Sequence, residues 1–462
     1  MKINMSKKIE LWVVLLVVWL GLIFTLLFGW RAGAYGRGSE RFASISKLIY
    51  SVSQFPSQVV TVILDVSKPS GVFVQNRWPE RVGFKETTDS ILPLGVQSDD
   101  GYLLVSSSTP ETNLPSVKLI RISDQKILNT WQLEKELLDE IHDDATGNTR
   151  QNHYFRHPRL LPNGSIISTI NGSELVTINR FSEVVWKADM ISHHSVEMDS
   201  KGNIWHCVRN RENIYTDKLL DVASRSRDSS HHYYWDDAIS CLNQAGEEIF
   251  RKSITTILIE NGYRSLVFGA SPIYFDPIHL NDIQPALNSS LYWEEGDLLV
   301  SIRNRSTVFL YRPSTNKIIW LKNGPWLHQH DVDFLDSSRI GVFSNNMLEG
   351  TNKRIMYEEV NTQFIFDFKS NLLTRPFDNA FLKAEIRTPS QGRSEILENG
   401  DLFVEETDDG RLLRIAQDSI VWEYTEPKDE EYTSRFNWSG YYSKNQIKEA
   451  IELFTKDEIY EK

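Results

Sequence analysis

The chain repeats one unit of strands and tight turns from about residue 91 onwards, and this repeat limits the possible folds more than any other feature. Its clearest copy runs from His157 to Ala188, HPRLLPNGSIISTINGSELVTINRFSEVVWKA. Alternating apolar and polar residues joined by Asn-Gly turns are typical of antiparallel hairpins. Units of about four short strands at intervals of ~40–80 residues are typical of propeller blades. Six copies can be traced, so we predict an all-β fold, a six-bladed β-propeller over 91–430, while five or seven blades would also fit.

An uncharged apolar run precedes the repeats. Leu11–Trp30 has 20 residues, the length with which a helix crosses the hydrocarbon core of a bilayer. We therefore predict a short tail over 1–10, then a transmembrane signal-anchor helix over 11–30. The protein would be a single-pass protein of the cytoplasmic membrane with its body in the periplasm. Ala32-Gly33-Ala34 resembles a signal-peptidase site, so removal of this segment as a signal peptide is the alternative.

The remaining composition narrows the class of protein. We expect residues 31–90 to form a linker and entry region, and residues 431–462 to form a charged C-terminal tail with a short amphipathic helix. A formal net charge of −12 without a basic stripe argues against a nucleic-acid partner. The two cysteines, Cys207 and Cys241, are too few for a disulfide scaffold or a zinc cluster, and either one bridge or two buried thiols would fit them.

Histidines open four of the repeats, three of them seven or eight residues before the following turn, while an insertion delays the turn after the fourth, His279, to Gly296. These histidines are His157, His194, His279 and His330, and Arg393 stands at the matching place in the last copy. Because the first strand of a propeller blade lines the central channel, we expect these side chains to converge on one axis. Polar residues in such a register also tie neighbouring blades, and imidazoles ligate metals, so both alternatives stay open. The pair His193-His194 should not share a ligand, since adjacent residues on a strand point to opposite faces.

Four segments carry a resemblance to a known family. They are HHSVEMDSKGNIW from His193, HLNDI from His279, DLLVSIR from Asp297 and HQHDVDFLDSSRIGVFSNN from His328. These segments resemble the bacterial arylsulfotransferases, at the level of motifs, over roughly Asp99–Tyr424. The resemblance implies transfer of a sulfuryl group from a small aryl sulfate ester to a phenol through a sulfated histidine. It implies neither a nucleotide sulfate donor nor another cofactor nor a metal.

The resemblance also implies roles for individual residues. His330 would be the nucleophile, His279 and Arg303 would bind the sulfuryl oxygens, and His194 would carry the proton of the phenol. The substrate-binding residues that complete the expected site are Asn281, His157, Arg393 and Gln329. The second ring nitrogen of a nucleophilic imidazole needs an acceptor to fix its tautomer, and Asp331 is one candidate for this task.

Some features depart from the family pattern. The cysteine pair that the family often places near the nucleophile is missing, and the interval from Arg303 to His330 is short. A membrane anchor would also differ from the soluble periplasmic members and would suit a lipid-linked or surface phenolic or glycan acceptor. Two other functions stay open at this point, a non-catalytic envelope propeller that binds or assembles partners, and a metal-dependent hydrolase.

Overall fold

The computed structural model describes most of the chain, and every structural statement below concerns the described residues. They are 19–21, 72–79, 81–86, 94–139, 153–170, 172–210, 235–269, 276–349, 354–417 and 419–460. By its packing the chain divides into two compact units, one of Met1–Pro69 with Ser224–His231 and one of Ser70–Ala223 with His232–Lys462. The strands, helices and side chains discussed below belong to the larger unit.

The larger unit consists mainly of short antiparallel strands. In chain order the strands are β1 (Phe73–Gln75), β2 (Arg81–Val82), β3 (Lys85–Glu86), β4 (Tyr102–Ser108), β5 (Pro115–Arg121), β6 (Lys126–Gln132), β7 (Phe155–Leu160), β8 (Ile166–Ile170), β9 (Ser173–Ile178), β10 (Val184–Met198), β11 (Ile204–Arg209), β12 (Asp237–Leu242), β13 (Glu248–Ser253), β14 (Leu280–Pro285), β15 (Leu298–Ile302), β16 (Thr307–Arg312), β17 (Lys317–Asn323), β18 (Asp331–Phe334), β19 (Arg339–Ser344), β20 (Met347–Glu349), β21 (Arg354–Met356), β22 (Thr362–Asp367), β23 (Leu372–Thr374), β24 (Arg393–Ile396), β25 (Leu402–Glu406), β26 (Arg411–Ala416), β27 (Ser419–Tyr424), β28 (Tyr432–Ser434) and β29 (Gly440–Tyr442). The α-helices are α1 (Leu94–Gln97), α2 (Lys135–Asp139), α3 (Ile254–Glu260), α4 (Arg264–Phe268), α5 (Asp378–Ala384) and α6 (Lys448–Tyr460).

The strands pair into blade-like sheets. In the described part of the chain, four sheets have four strands each, in the orders β29-β4-β5-β6, β14-β15-β16-β17, β18-β19-β22-β23 and β24-β25-β26-β27. The strands β7 to β13 form one further sheet of seven strands in sequential order. Two-stranded sheets join β1 with β28, β2 with β3 and β20 with β21. The fold is therefore all-β and propeller-like.

The predicted count of six blades is wrong, because the described strands form four separate four-stranded blades. The difference arises at β10, whose 15 residues run as one strand. Its first part pairs with β9, from Val184 opposite Ile178 onwards, and its second part pairs with β11, as far as Met198 opposite Ile204. One long strand thus joins two hairpin groups that the sequence analysis assigned to separate blades.

The C-terminal strands complete sheets that begin near the other end of the chain. In the first four-stranded sheet, β29 pairs antiparallel with β4, with Gly440 opposite Leu104. The buried Glu405 carboxylate on β25 accepts the N–H groups of Trp438 at 2.8 Å and Ser439 at 2.6 Å, which fixes the approach to β29. Pairing between distant parts of the chain therefore closes the arrangement of sheets.

Five strands are tied to one another by side chains, and we call these strands, β7, β10, β14, β18 and β24, the central strands. Each tie is a side-chain acceptor that receives a backbone N–H from the next central strand: His157 Nδ1 from Val196 at 3.0 Å, Ser195 Oγ from Ile283 at 3.0 Å, Asp282 Oδ2 from Val332 at 2.8 Å, and Asp331 Oδ2 from Ser394 at 3.0 Å. Edge strands present N–H groups that lack a strand partner, and burying such a group unpaired costs about 1–3 kcal/mol. These ties, which we call the central ties, therefore hold the central strands side by side.

The two cysteines are buried free thiols. Cys207 on β11 lies opposite Ile239, while Cys241 on β12 lies opposite Trp205. The thiols are thus offset by two residues along neighbouring strands. Burial raises the pKa of the Cys241 thiol to about 12, so it is protonated at neutral pH.

The predicted membrane anchor is also corrected. Among the described residues no helix is long and apolar enough to cross a membrane, for which about 20 apolar residues are needed. The longest described helix, α6, has 13 residues and carries several charges. Of Leu11–Trp30 only the helical residues 19–21 are described, and the rest of that run lies outside the described residues. The single-pass localisation depended on that helix and is not retained.

Asp282 provides a test of the central ties. Replacing Asp282 by Ala leaves the buried Val332 N–H without its acceptor, and we expect the free energy of unfolding to fall by about 1–3 kcal/mol. The matched variant Asp282→Asn keeps an oxygen acceptor at the same position and should retain most of the stability. Urea unfolding followed by tryptophan fluorescence measures both variants. Equal stability of Asp282→Ala and the parent protein would show that the tie contributes nothing.

Candidate active site

His330 is held in one tautomer by the neighbouring strand. Asn345, which follows β19, donates its side-chain N–H groups to the carbonyls of Thr388 at 2.9 Å and Gln391 at 2.7 Å. This orients the Asn345 Oδ1 towards His330 Nδ1, 2.6 Å away, so Nδ1 must carry the proton. The other ring nitrogen, Nε2, therefore has the lone pair and accepts the Gln391 N–H at 3.2 Å. Asp331, the acceptor suggested by the sequence, instead forms one of the central ties.

Three of the predicted histidines come together in space. The ring centroids of His194 and His279 are 5.1 Å apart, and those of His194 and His330 are 6.1 Å apart. His194 and His330 are buried, with exposed fractions of 8% and 1%. A buried cluster of imidazoles beside a guanidinium suits an anionic ligand. Among the residues that the structure describes, no group of three or more His, Cys, Asp or Glu side chains is arranged to hold a metal ion.

Irregular backbone aims these rings. His157, His194 and His279 all have positive φ, between 50° and 57°, which residues with a Cβ rarely adopt. The pairing of each of their strands shifts register close to these residues, as in a β-bulge. Bulges turn side chains away from the regular alternation of a strand. Strained, bulged backbone of this kind is often found at functional sites.

Arg303 lies where β15 ends, at the first position of a short 3₁₀ turn, Arg303–Arg305. Its backbone N–H donates to the carbonyl of His279 at 3.0 Å, which joins the two predicted sulfuryl-binding residues directly. Its Nε donates to the Asn304 side chain at 3.0 Å, and Asn304 in turn donates to the Asp276 carbonyl at 2.7 Å. The guanidinium is therefore positioned by contacts within its own turn and the segment before β14.

Burial and neighbouring positive charge keep the three imidazoles neutral. Burial lowers the pKa of His330 well below its ordinary value of 6.5, and Arg303 lowers it further, against the opposing effect of the Asn345 hydrogen bond. Burial and Arg303 likewise lower the pKa of His279. The pKa of His194 is lowered by burial, then by Arg156 and by the other histidines. Each ring is thus a base or nucleophile at neutral pH rather than a cation.

Asn281 and Gln329, which we expected to bind substrate, contact protein groups. Asn281 Nδ2 donates to the Gln329 carbonyl at 3.0 Å. Gln329 Nε2 lies 3.2 Å from the Ile302 carbonyl and 3.1 Å from the Thr307 carbonyl. These bonds join the start of β18 to β14 and to the β15–β16 connection. Both side chains are fully buried and contact protein groups. We therefore interpret them as residues that position His330.

His157 and Arg393 lie in a neighbouring polar layer. His157 Nδ1 takes part in a central tie, and its Nε2 is 3.1 Å from a terminal nitrogen of Arg393. Arg393 also lies within 3.9 Å of the Asp331 carboxylate and 3.7 Å of the Glu395 carboxylate. The ring of Trp438 contacts both His157 and His194, at centroid distances of 5.1 Å and 6.3 Å. His157, one of the four histidines that open the repeats, therefore has the contacts of a central tie.

Several residues of the site were not predicted from the sequence. They are Asn345 and Gln391 beside His330, Asp276 beside His279, and His193 with Asp237 beside His194. Asp276 Oδ2 is 2.5 Å from His279 Nδ1. The expectation that His193 and His194 point apart was wrong, since their Nδ1 atoms are 2.9 Å apart. A bulge between His193 and Val196 and the positive φ of His194 bring the rings together.

Comparison with known protein families gives one match, to arylsulfotransferase (ASST), over residues 157–426. This stretch is more than half of the chain and contains the three histidines and Arg303, so the chain belongs to the arylsulfotransferase family. The resemblance seen in the sequence is confirmed. Membership supports sulfotransferase activity in general, with small aryl sulfates and phenols as the substrate classes.

Curated proteins and solved structures add little. No curated protein matches the chain. Similar solved structures include a protein of unknown function from Bacteroides caccae, with 14% identity, 74% of this chain and 99% of that chain covered, and a TM-score of 0.44. Another is hydrazine synthase from Kuenenia stuttgartiensis, with 10% identity, 71% and 81% covered, and a TM-score of 0.39. A third is BamB from Moraxella catarrhalis, with 9% identity, 54% of each chain covered, and a TM-score of 0.30. At these TM-scores the similarities carry no argument.

The tautomer of His330 can be measured directly. In protein labelled with ¹⁵N-histidine, we expect His330 to be neutral at pH 6.5, with its proton on Nδ1, because burial and Asn345 favour that form. The His330→Asn variant assigns the signal. Asn345→Asp should raise the pKa of His330, since a carboxylate stabilises the imidazolium. A proton on Nε2, or a His330 that is half protonated at pH 6.5, would contradict the assignment.

Proposed function

We propose that the chain transfers a sulfuryl group from an aryl sulfate ester to a phenolic hydroxyl, with His330 Nε2 as the nucleophile. The observation that carries this proposal is the state of His330, a buried imidazole whose Nδ1–H is fixed by Asn345 and whose Nε2 lone pair is unprotonated at neutral pH. Two further imidazoles and a guanidinium lie around it. Membership of the arylsulfotransferase family supports the substrate classes.

In the first half-reaction, the Nε2 lone pair of His330 attacks the sulfur of the donor. The bond from sulfur to the aryl oxygen breaks, and the electron pair leaves with the phenolate. Nδ1 keeps its proton towards Asn345, so the product is an N-sulfated imidazolium. Splitting the transfer through a covalent intermediate replaces one difficult step by two easier ones. The Gln391 N–H, which donates to Nε2 beforehand, is then free to donate to a sulfuryl oxygen.

In the second half-reaction, the acceptor oxygen attacks the sulfur while its proton moves to His194. The bond between sulfur and His330 Nε2 breaks, and the imidazole returns to its neutral state. A neutral His194 is required for this role, and its lowered pKa supplies it. Proton transfer by a positioned side chain contributes roughly 10²–10⁴-fold to such steps.

Arg303 and His279 are suited to the negative charge of the sulfuryl oxygens. A guanidinium is permanently charged and planar, and it stabilises charge on transferring oxygens without a change of protonation. When His279 Nδ1 and Asp276 share a single proton, the Nε2 atom of His279 carries none. Burial raises the pKa of Asp276, so the pair can take up one more proton there; Asp276 then donates to Nδ1, and a neutral His279 can donate from Nε2 to a sulfuryl oxygen. Asp276 is thus part of the proposed anion site.

The substitution His330→Asn tests the nucleophile. We expect turnover of a chromogenic aryl sulfate with a phenol acceptor to fall by about 10³-fold or more, since the covalent route is lost. Mass spectrometry of the parent protein treated with donor alone should find one sulfuryl group on the peptide that contains His330, and none in the variant. Circular dichroism checks that the variant is folded. Turnover that survives in folded His330→Asn would rule out this role.

The pH dependence tests the protonation states. Protonation of His330 or His194 removes the lone pair that each step needs, and the pKa of both is lowered below 6.5. The acid limb of kcat/KM, which reports the free enzyme, should therefore fall below pH 6.5, with full activity above it. An acid limb centred at or above pH 6.5 would contradict this.

A further inference from the structure

A second histidine and a buried carboxylate lie behind His194. His193 Nδ1 is 2.9 Å from His194 Nδ1, and the two rings meet edge to face at 88°. His193 Nε2 lies 3.4 Å from Asp237 Oδ1. The other Asp237 oxygen accepts the Leu280 N–H at 2.8 Å, so β14 fixes the carboxylate. All three side chains are buried, with exposed fractions of 5% for His193, 8% for His194 and 1% for Asp237.

The protons in this row can be placed by their partners. Burial favours protonation of Asp237, but His193 and Arg209 outweigh it and lower the pKa of Asp237, so this carboxylate is charged. A charged Asp237 calls for a proton on the facing His193 Nε2, which leaves a lone pair on His193 Nδ1. Two lone pairs cannot meet at 2.9 Å, so His194 Nδ1 must carry a proton. The acceptor nitrogen of His194 is then Nε2.

We propose that His193 and Asp237 form a proton relay with His194, in which His193 takes the Nδ1 proton of His194 and Asp237 stabilises the resulting imidazolium. This rests on the proposed function, in which His194 removes the acceptor's proton. His193 and Asp237 are positioning and relay residues, since they act through His194 and not on the substrate. No role for either of them follows from the sequence.

The relay balances the protons of a full cycle. When the acceptor oxygen bonds to sulfur, its proton moves to His194 Nε2, and the Nδ1 proton of His194 moves to His193 Nδ1. The positive charge then lies on His193 beside Asp237. In the next cycle the two protons move back, and His194 protonates the departing phenolate of a new donor. One proton is therefore taken from each acceptor and one is given up to each phenolate, so a full cycle has no net gain or loss of protons.

Other charged and titratable groups act on this row and set its pH dependence. They are Arg156, Arg209, Asp276, His206, His279 and His330. Arg209 Nε lies 3.5 Å from Asp237 Oδ1. The charge of Arg209 disfavours a cation on His193, whereas the charge of Asp237 favours that cation. Removing the Asp237 charge should therefore make His194 a weaker base.

The test separates the two half-reactions. With 4-nitrophenyl sulfate alone, a burst of 4-nitrophenolate reports the first half-reaction, whose leaving group needs no proton. Addition of phenol then reports the second. In His193→Asn and Asp237→Asn we expect an unchanged burst, a second step slower by about 10²-fold, and a larger loss with donors that have basic leaving groups. In Asp237→Asn the acid limb of the second step should also move to lower pH.

Asp236→Asn is the matched control. Asp236 is the neighbouring buried carboxylate, but it accepts from Ser253 Oγ at 2.6 Å and Asn210 Nδ2 at 2.9 Å instead of facing His193. The Asp236→Asn variant should retain the parent rates of both half-reactions. A second step that is equally fast in folded His193→Asn and in the parent would overturn the relay and leave the proposed function intact. A parent protein without a burst would instead refute the proposed function.

A measurement on the parent protein tests the relay without any variant. ¹⁵N-histidine spectra at neutral pH should show His194 protonated on Nδ1 and His193 protonated on Nε2, as the partners require. A His194 protonated on Nε2 would overturn the relay even if neither variant folds.

Discussion

The site depends on the hydrogen bonds between the central strands. Each central strand has an edge whose N–H groups lack a strand partner, and the side chain of a neighbouring central strand accepts one of them. These bonds fix where neighbouring strands stand relative to each other. His194 lies on β10, and His279 and His330 directly precede β14 and β18, so their approach to one another requires that these strands keep their positions.

A second polar layer, joined to the central ties through Asp282 and Asp331, has a different balance of charge. It contains the carboxylates of Glu197, Asp282, Asp331, Asp333 and Glu395 around the guanidinium of Arg393. Burial raises the pKa of Asp331 to about 8, although Arg393 opposes this. Protonated carboxyls and one guanidinium limit the net negative charge of this layer. The histidine cluster stays neutral because burial and guanidinium charge disfavour protonation, and it thereby keeps the nitrogen lone pairs that the proposed sulfuryl transfer needs.

The sequence allowed the strands and the principal histidines to be predicted, but neither the blade count nor the supporting residues. Alternation and Asn-Gly turns mark hairpins locally, yet the stretch from Val184 to Met198 contains no glycine or proline, and it continues as one strand across two predicted blades. Asn345 and Asp237 could not be assigned, because Asn345 meets His330 from the far end of the next strand and Asp237 faces His193 from β12, and neither approach has a local pattern. His193 was placed on the wrong face because a bulge reverses the regular alternation.

By itself, then, the sequence determined the all-β character and the residues on which the chemistry is proposed, because strand periodicity, turn residues and family motifs are all local patterns. The tertiary structure alone decided how those residues act. The tautomer of His330 and the use of His157 as a tie follow from partners that other segments supply, and the contact of His193 with His194 follows from a bulge in β10. Hydrogen-bond partners and burial, which set protonation, are properties of the packed molecule and have no local pattern in the chain.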